Sequence, residues 1–469
     1  MSQQDVKMKR LQWFCTNCHL ISRKGAPHIA GNEETSKMIF DHLEALTSNL
    51  RRYYPPIEEG KQWIKNPFDE DNLNNLNLTT SQENELIELS CDSMLKSVYK
   101  EKDVTFWMET RTEYPTISVT ALRRERRGLL HVLEMRPGTE RGRLPAADPS
   151  RTVKCFTRSA AGRERPPASL LRPPPVLHAT LRYLLGNVVA DTRYNWHLVY
   201  EFVFDRLRAI RQDMVVQGVC PTWSITLLQP MVRFHAYAGY RLCEEPAARF
   251  DAQINRTQLL ECLKTLLGLY DELEHAGSCS CPECAGEAVT ATGPSDPALT
   301  KARVQMEALY GALNLGSALA IGRNLQLGLH KRDPTLAIVL KMSLSHWLGH
   351  YVHVYRSLIH LPALVMCVAV LHLPSVRRNT LQVMSVAFGS RNLGYPISKL
   401  ASLLLYSTDN EAANDCRRYS LAVKDGSVMF HKKVFTLDAS PSPVQHEPFL
   451  EDKLNGCDLP EMLLGTGSH

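Results

Sequence analysis

The sequence lacks the features that mark secreted and membrane proteins. Its first residues do not show the charged, then apolar, then small-residue order of a secretory signal. The longest apolar run, 358–373, is too short for a transmembrane helix and is interrupted by His360 and Pro362. We therefore expect no membrane span, and we predict that this run forms a core helix.

The motifs of common enzyme sites are missing as well. The chain has no Gly-x-Ser-x-Gly nucleophile motif, no Gly-rich phosphate loop followed by Lys, and no paired acidic motif. A catalytic triad that is dispersed along the chain would leave no such local trace. The interpretation is a non-enzymatic protein that needs no cofactor.

Disulfide bonds are not expected. Thirteen cysteines, an odd number set mostly singly in helical patterns, predict reduced thiols and a cytosolic or nuclear protein. One cluster differs, because Cys279, Cys281 and Cys284 lie in a loop at 276–300 that is rich in Gly, Ser and Pro. With His275 they would supply four zinc ligands, but Cys279 and Cys281 are close together for tetrahedral geometry. Unliganded thiols are the favoured interpretation, and zinc is the alternative.

The net charge of +5 is concentrated in one connector. Residues 123–172 hold thirteen Lys and Arg against five Asp and Glu, together with several Pro. Repeated Pro disfavours helix and central strand, so we expect an extended strip that is either a solvated linker or wrapped over the domain that follows. Arg163, Arg165 and Arg172 are candidates for contacts with a partner or with nucleic acid.

A long helical region begins at the Pro run 173–175. Its central helix is predicted from Asn195, a good N-cap residue, to Gly218, a good terminator, with apolar residues at every third or fourth position between them. The other face carries mixed charges, which we interpret as a solvated surface. These charged residues are Glu201, Asp205, Arg206, Arg208, Arg211 and Asp213.

More helices follow in close succession. Asn255 is predicted to cap the next long helix, and helices of about ten to fifteen residues with short Gly or Pro breaks continue to residue 388. Such spacing indicates stacked helical hairpins, an alpha-solenoid. The predicted fold class is therefore all-α, with the helical domain at 173–390.

The pattern changes after residue 390. Two short helices are predicted at 396–406 and 410–419, and the sequence then alternates around Asp425 and Gly426, which is a strong hairpin signal. Two helices followed by a β-hairpin indicate a winged helix, which we place at 391–450. We expect the chain beyond it, 451–469, to form a tail whose last ten residues do not pack.

Cations on the second of these helices and on the wing form the candidate binding site. Such side chains can bind nucleic acid, but five scattered cations are a small electrostatic footprint. A protein partner is therefore favoured, and RNA or DNA is the alternative. The five residues are Arg417, Arg418, Lys424, Lys432 and Lys433.

Two segments carry a resemblance to a known family. FTRSAAGRERPPASLLRPPPVLHATLRYLL and YEFVFDRLRAIRQDM resemble the signature of the Sac-three/GANP domain family, and RRERRGLLHVLEMRPGT resembles its short, centrosome-associated members. The resemblance covers about 123–450. It implies a winged helix that packs against a partner's winged helix in a scaffold for centrosome duplication, spindle organisation and mitosis, located in the cytoplasm, at centrosomes and on the spindle. The alternative that it leaves open is a nuclear adaptor in mRNA export that associates with nucleic acid.

Residues 1–122 resemble a different family. Several short anchors are similar to the C-terminal region of domesticated hAT-type transposases, whose catalytic sheet presents three carboxylates to two metal ions. This segment has neither the alternating strands nor the length for such a sheet, so we interpret it as an exonised or fused transposon fragment that is partly disordered and without chemistry. The anchors are Cys91, Asp92, Phe106, Trp107, Glu113, Tyr114 and Pro115.

Overall fold

A computed structural model describes residues 124–125, 127–139, 145–158, 171–276, 297–390, 392–431 and 434–466. The transposase-like segment and the loop that carries the three candidate zinc thiols lie outside these residues. These residues divide into two compact units, one containing those up to Leu177 together with Ala209–Gly218, and the other containing His178–Arg208 and the residues described from Val219 onward. Each unit is described separately below.

Helices dominate the described residues, which confirms the predicted all-α class. They are α1 (Pro174–Tyr183), α2 (Trp196–Gln217), α3 (Pro221–Arg241), α4 (Ala252–Ala276), α5 (Pro297–Leu313), α6 (Ala318–Leu327), α7 (Pro334–Trp347), α8 (Tyr351–Leu358), α9 (Ala363–Val370), α10 (Leu373–Ala387), α11 (Ile397–Leu404), α12 (Asp409–Arg418), α13 (Pro448–Asn455) and α14 (Leu459–Leu464). Three short strands are β1 (Tyr395–Pro396), β2 (Ala422–Lys424) and β3 (Ser427–Met429).

The central helix has the predicted boundaries. Helix α2 begins at the residue after Asn195 and ends one residue before Gly218, whose φ of +63° is the left-handed conformation that favours glycine after a helix. Helix α1 likewise begins within the Pro run, at Pro174. These two boundaries confirm that the terminating residues were interpreted correctly.

The predicted cap at Asn255 is wrong. Helix α4 begins at Ala252, three residues before Asn255. Asp251 caps it by accepting hydrogen bonds from the backbone amides of Gln253 and Ile254, both at 2.9 Å. Asn255 is buried instead, and its Nδ2 donates to the carbonyl of His235 on α3 at 2.9 Å. Asp and Asn both cap helices well, so the pattern could not show which of the two residues does so here.

Helix α9 lies at the centre of the larger unit. It packs against α3, α5 and α13, and every residue from 364 to 370 is buried. The apolar run at 358–373 therefore contains a core helix, as predicted. Among the helices that the structure describes, none combines the length and the apolarity needed to cross a bilayer.

A winged helix follows the helical stack. Strand β3 pairs with both β1 and β2 in an antiparallel sheet of order β1-β3-β2, next to α11 and α12. Asp425 and Gly426 turn the hairpin with φ of +48° and +68°, and positive φ at both central residues is the signature of a type I′ turn. The hairpin prediction is confirmed, whereas β1 is too short to show a strand pattern in the sequence.

The C-terminal residues pack onto the stack. Helix α14 contacts α3, its residues Met462 and Leu463 are buried, and the Arg233 guanidinium on α3 donates to the Leu464 carbonyl at 3.3 Å. The prediction that the last ten residues do not pack is wrong for those up to Thr466. A helix of six residues is too short to produce a clear apolar period.

The smaller unit contains the described part of the basic connector. Met135 and Ala147 form an isolated antiparallel bridge, and the buried Glu134 binds Arg124 and the backbone amide of Val153. The alternative of a solvated linker does not hold for these residues. The sequence could not show this order, because its apolar cluster consists of only four residues, Leu130, Val132, Met135 and Ala147, without a regular period.

The charged face of α2 is only partly solvated. In the smaller unit, the Asp213 carboxylate is 1% exposed and accepts hydrogen bonds from Lys154 and Arg172, both at 2.7 Å. In the larger unit, Arg206 is buried, pairs with Asp205 at 2.6 Å and lies 4.3 Å from the centre of the Phe202 ring. The interpretation of this face as a solvated surface is therefore wrong at Arg206 and Asp213.

Candidate interaction surface of the winged helix

The core of the winged helix is apolar and closed. Leu400 and Leu404 of α11, Cys416 of α12 and Val428 of β3 are all fully buried, and Phe430 is almost so. Because this core fixes the two helices and the hairpin relative to one another, the side chains on the outside of the module have defined positions. These outer side chains include the cations that the sequence analysis selected.

The cations on α12 are exposed but not free. The Arg417 guanidinium donates to the Asn414 side chain at 2.9 Å, and Arg418 pairs with Asp415 at 3.6 Å. Lys424 is exposed on β2. Lys432 and Lys433 lie outside the described residues. The structure therefore places Arg417 and Arg418 on one helical turn, where neighbouring polar groups already satisfy part of their hydrogen-bonding capacity.

The two helices and the hairpin of the module are electrically balanced. Residues 392–431 contain four Lys and Arg and four Asp and Glu. Asp409, Glu411 and Asp415 lie on the same helix as the two arginines. Since binding to a nucleic-acid backbone depends on several cations neutralising phosphates, this balance favours a protein partner, although Lys432 and Lys433 add two positive charges after it.

The remaining candidate cations belong to the connector. Arg172 is part of the ion pair with Asp213, and its side chain is mostly buried. Arg163 and Arg165 lie outside the described residues. His275 is exposed near the end of α4, and the three thiols that would join it in a zinc site are likewise not described. Within the residues that are described, no group of His, Cys, Asp and Glu is arranged to hold a metal ion.

An apolar patch on α10 and the loop that leads into the winged helix was not predicted. Val383 and Val386 of α10, Phe388 just after this helix and Leu393 in the following loop are each more than half exposed. We call these four residues the wing patch. The valines belong to one of the helices predicted before residue 388, and the apolar period of that helix alone could not identify the patch.

The loop that carries the wing patch is held in place. The Ser390 amide donates to the Phe430 carbonyl at 3.2 Å, and the Ser390 hydroxyl accepts from the Leu393 amide at the same distance. The Phe388 ring lies edge-on to Tyr395 with 5.5 Å between the ring centres. The patch is therefore part of the folded module and is preorganised for contact.

A buried ion pair fastens the winged helix to the segment before α13. Arg377 on α10 donates to both carboxylate oxygens of Glu447, at 2.7 and 3.1 Å, and also to the backbone carbonyls of Leu404 and Leu405. Burial raises the pKa of Glu447 above its ordinary value, and the Arg377 charge offsets part of that rise. The Glu447 amide in turn donates to the Tyr240 hydroxyl on α3 at 2.9 Å.

One cavity of about 280 Å³ lies between α1, α3, α4 and α14. His178, Thr222, Thr226 and Gln229 are among its polar lining residues, and no carboxylate is. The Thr226 hydroxyl donates to the Thr222 carbonyl at 3.0 Å, and burial together with the nearby Arg182 lowers the pKa of His178. These residues do not form a nucleophile, base and acid set of the kind that catalytic triads require.

Comparison with known proteins identifies the family. The sequence model of the SAC3/GANP family matches residues 120–425. SAC3 family protein 1 of Schizosaccharomyces pombe is 27% identical over 456 residues, which is 94% of this chain and 42% of that protein. Protein xmas of Drosophila melanogaster is 24% identical over 310 residues, which is 63% of this chain and 14% of that protein.

A plant relative matches a shorter stretch. SAC3 family protein B of Arabidopsis thaliana is 37% identical over 133 residues, which is 27% of this chain and 8% of that protein. The chain thus spans less than half the length of these relatives. The family's domains are scaffolds for protein interaction, and the resemblance of this sequence to the Sac-three/GANP domain family is confirmed. This chain belongs to the SAC3/GANP family.

Proposed function

We propose that this chain is a non-enzymatic scaffold whose winged helix docks the winged helix of a protein partner. The wing patch is the observation that carries the proposal. Four neighbouring apolar side chains, each more than half exposed on a preorganised surface, are typical of a contact site. The partner contributes an apolar surface of its own, because burial of apolar area is the main driving force available to such a patch.

The charge of the module supports a protein partner over nucleic acid. Residues 392–431 of the winged helix carry equal numbers of positive and negative groups, and α12 contributes three acids and two arginines. A phosphate backbone would be repelled by the acids near Arg417 and Arg418. A partner winged helix with mixed charges would instead meet this surface without a net electrostatic cost.

The cellular process that we propose is centrosome duplication and spindle organisation, with the chain in the cytoplasm, at centrosomes and on the spindle. The support is the resemblance of RRERRGLLHVLEMRPGT to the short, centrosome-associated members of the family. A second candidate is an adaptor in nuclear mRNA export, which the family membership supports equally well. Both candidates use the same docking surface and differ in the compartment.

The location of the chain distinguishes the two processes. We would express the full chain with a fluorescent tag and follow it through the cell cycle beside a centrosome marker and a nuclear-pore marker. Signal at centrosomes and spindle poles supports the mitotic scaffold. Signal at the nuclear rim that disappears when transcription is blocked supports the export adaptor and contradicts the mitotic proposal.

A variant tests whether the wing patch is the docking surface. Phe388→Ser with Leu393→Glu should disperse the focal signal while circular dichroism shows an unchanged helical fold, because both side chains are exposed. Val215→Glu is the control, since Val215 is also more than half exposed, lies on α2 and is outside the patch. An unchanged location of the double variant would contradict docking through this patch.

The nucleic-acid alternative has its own test. Alanine at Arg417, Arg418, Lys432 and Lys433 should abolish salt-sensitive binding to single-stranded RNA if the winged helix binds nucleic acid. We expect little RNA binding by the native chain, and no change in the variant. A loss of tight binding in the variant would favour RNA over a protein partner.

A further inference from the structure

Helix α6 has apolar residues on two faces, and only one of them is covered. Ala320 and Ile321 are buried on the inner face, where Arg323 binds Glu307 of α5 and Asp271 of α4. Those ion pairs fix the rotation of the helix about its axis. The outer face presents Leu319, which is 81% exposed, and Leu325, which is half-exposed.

A notch separates the two outer leucines. Gly322 lies between Leu319 and Leu325 at helical spacing, it is exposed, and no atom lies within 4 Å of the position that a Cβ there would occupy. The helix backbone is therefore open at this turn. A small residue at a helix surface allows the backbone of a second helix, or a side chain projecting from it, to approach closely.

The end of α7 extends this surface. The His346 ring packs against Gly316, which lies just before α6. A Cβ added to that glycine would lie 2.3 Å from the ring. Trp347 and Leu348 follow His346 directly and are 63% and 58% exposed. Together with Leu319, Gly322 and Leu325 they form what we call the α6 face.

The chain segment that contains the α6 face is basic. Residues 314–360 contain five Lys and Arg against a single Asp and no Glu. The Asp333 carboxylate caps α7 by accepting from the Leu336 amide at 3.0 Å, and Arg323 is used in the inner ion pairs. The four remaining cations are exposed and make no ion pair with another described residue. They are Lys331, Arg332, Lys341 and Arg356.

We infer that the α6 face binds an acidic amphipathic helix of a protein partner. The apolar stripe of that helix would cover Leu319, Leu325 and Trp347, one of its side chains would fill the notch at Gly322, and its Asp and Glu residues would meet the exposed cations of this segment. This surface is separate from the wing patch, so the inference does not depend on the proposed function.

The same observations disfavour two other occupants. A second copy of this chain would bring an equally basic face into contact with the first, and the like charges would repel. An anionic membrane would satisfy the cations, but a lipid surface has no projecting group for the notch at Gly322. A helix with an apolar stripe and acidic flanks satisfies both the shape and the charge.

Fluorescence anisotropy with synthetic peptides tests the inference. The probe is a labelled helical peptide whose Leu residues recur at i, i+3, i+4 and i+7 along one face and whose other positions are Glu. It is titrated with the full chain. We expect binding that weakens as salt is raised. A peptide of the same pattern with Lys in place of Glu should not bind. Failure of the acidic peptide to bind overturns the inference.

Variants locate the binding surface. Leu319→Glu and Trp347→Glu should each weaken binding of the acidic peptide at least about tenfold, since both side chains would lie at the centre of the contact. Val215→Glu should bind as the native chain does. The double variant Lys331→Glu, Arg332→Glu should weaken binding of the acidic peptide and allow the Lys peptide to bind. Equal effects of Val215→Glu and Leu319→Glu would overturn the assignment.

The other occupants are separate outcomes. If light scattering shows a dimer that Leu319→Glu dissociates, the face is a contact between copies and the inference is wrong. If phosphatidylserine vesicles bind the native chain and Leu319→Glu abolishes this while the acidic peptide does not bind, the face is a membrane contact and the inference is again wrong. A monomer that binds the acidic peptide and ignores the vesicles supports it.

Discussion

Helices α6 and α9 are both rich in apolar residues, six of ten in α6 and all eight in α9, but their surroundings are very different. Helix α9 is covered by α3, α5 and α13, and all of residues 364–370 are buried. Helix α6 is covered on one side by α5 and α7 and leaves Leu319 and Leu325 exposed. The comparison teaches that an apolar helix is a core element only when its neighbours surround it. An uncovered apolar face is then a candidate for an external partner.

The largest expected effect comes from placing a charged residue on α9, and the same change on α6 is the comparison. Val368→Asp would bury an unpaired carboxylate at a fully buried position of α9, which should cost more than about 4 kcal/mol and prevent native folding. Leu319→Asp on α6 should change the free energy of unfolding by less than about 0.5 kcal/mol. Urea unfolding followed by circular dichroism measures both. Similar losses in the two variants would remove the distinction between the helices.

Two ion pairs of the native chain, one buried and one at the surface, give a second comparison between covered and exposed positions. Arg377→Met leaves Glu447 buried without its partner and removes the donor to two backbone carbonyls, so we expect a loss of about 3 to 5 kcal/mol in the free energy of unfolding. Arg418→Met, in a surface ion pair, should cost about 1 kcal/mol or less. Adding Glu447→Leu to Arg377→Met should restore part of the loss, and no recovery would argue against a pairing effect.

The free energy of unfolding should also depend on pH, because of a histidine just after α9. Burial, with help from the nearby Arg256 charge, lowers the pKa of His372 from 6.5 to about 4, and its Nε2 donates to the Leu313 carbonyl at 3.1 Å. The unfolded chain binds this proton below pH 6.5, so stability should fall as pH falls from about 6.5 to about 4, by up to about 3 kcal/mol.

Substitution isolates the effect of this histidine. His372→Gln keeps a donor and does not titrate, so its unfolding midpoint in urea should depend less on pH across that window. His350→Gln, at an exposed position near the α6 face, should leave the pH dependence as it is in the native chain. An unaltered pH dependence in His372→Gln would contradict a neutral, buried imidazole.

Two glycines provide the smallest and most local comparison. A Cβ at Gly311 of α5 would lie 2.7 Å from Cγ1 of Val339, so Gly311→Ala should destabilise the chain by about 1 to 3 kcal/mol. Gly322→Ala on α6 meets no atom and should stabilise it by about 0.5 to 1 kcal/mol, because alanine favours helix. The added methyl should nevertheless weaken binding of the acidic peptide. Unchanged peptide binding would contradict the proposal that a side chain of the partner fills the notch.

Much of the fold was predictable because the sequence marks its own boundaries. Asn195 and Gly218 delimited α2, and Asp425 with Gly426 located the hairpin, since these residue types are selected by backbone geometry. Such signals are local. Where two residues could serve the same purpose, as Asp251 and Asn255 both could as caps, the local pattern could not choose between them.

The candidate surfaces were less predictable, for a physical reason. The carboxylate of Asp213 is buried by Lys154, which is 59 residues away along the chain, and no periodic pattern records such a pairing. The wing patch and the α6 face use the same residue types and spacing as core positions. Only the arrangement of neighbouring helices shows which apolar side chains are left uncovered, so site prediction required the structure.

The contact between α14 and α3 has a consequence for synthesis of the chain. Arg233 and the Leu464 carbonyl are separated by 231 residues, so at a ribosomal rate of about 5 to 20 residues per second the covering helix arrives roughly 10 to 50 seconds after α3. During that interval the face of α3 that α14 covers is open to other nascent chains. A chaperone that holds this face during translation would protect the newly made protein until α14 covers the face.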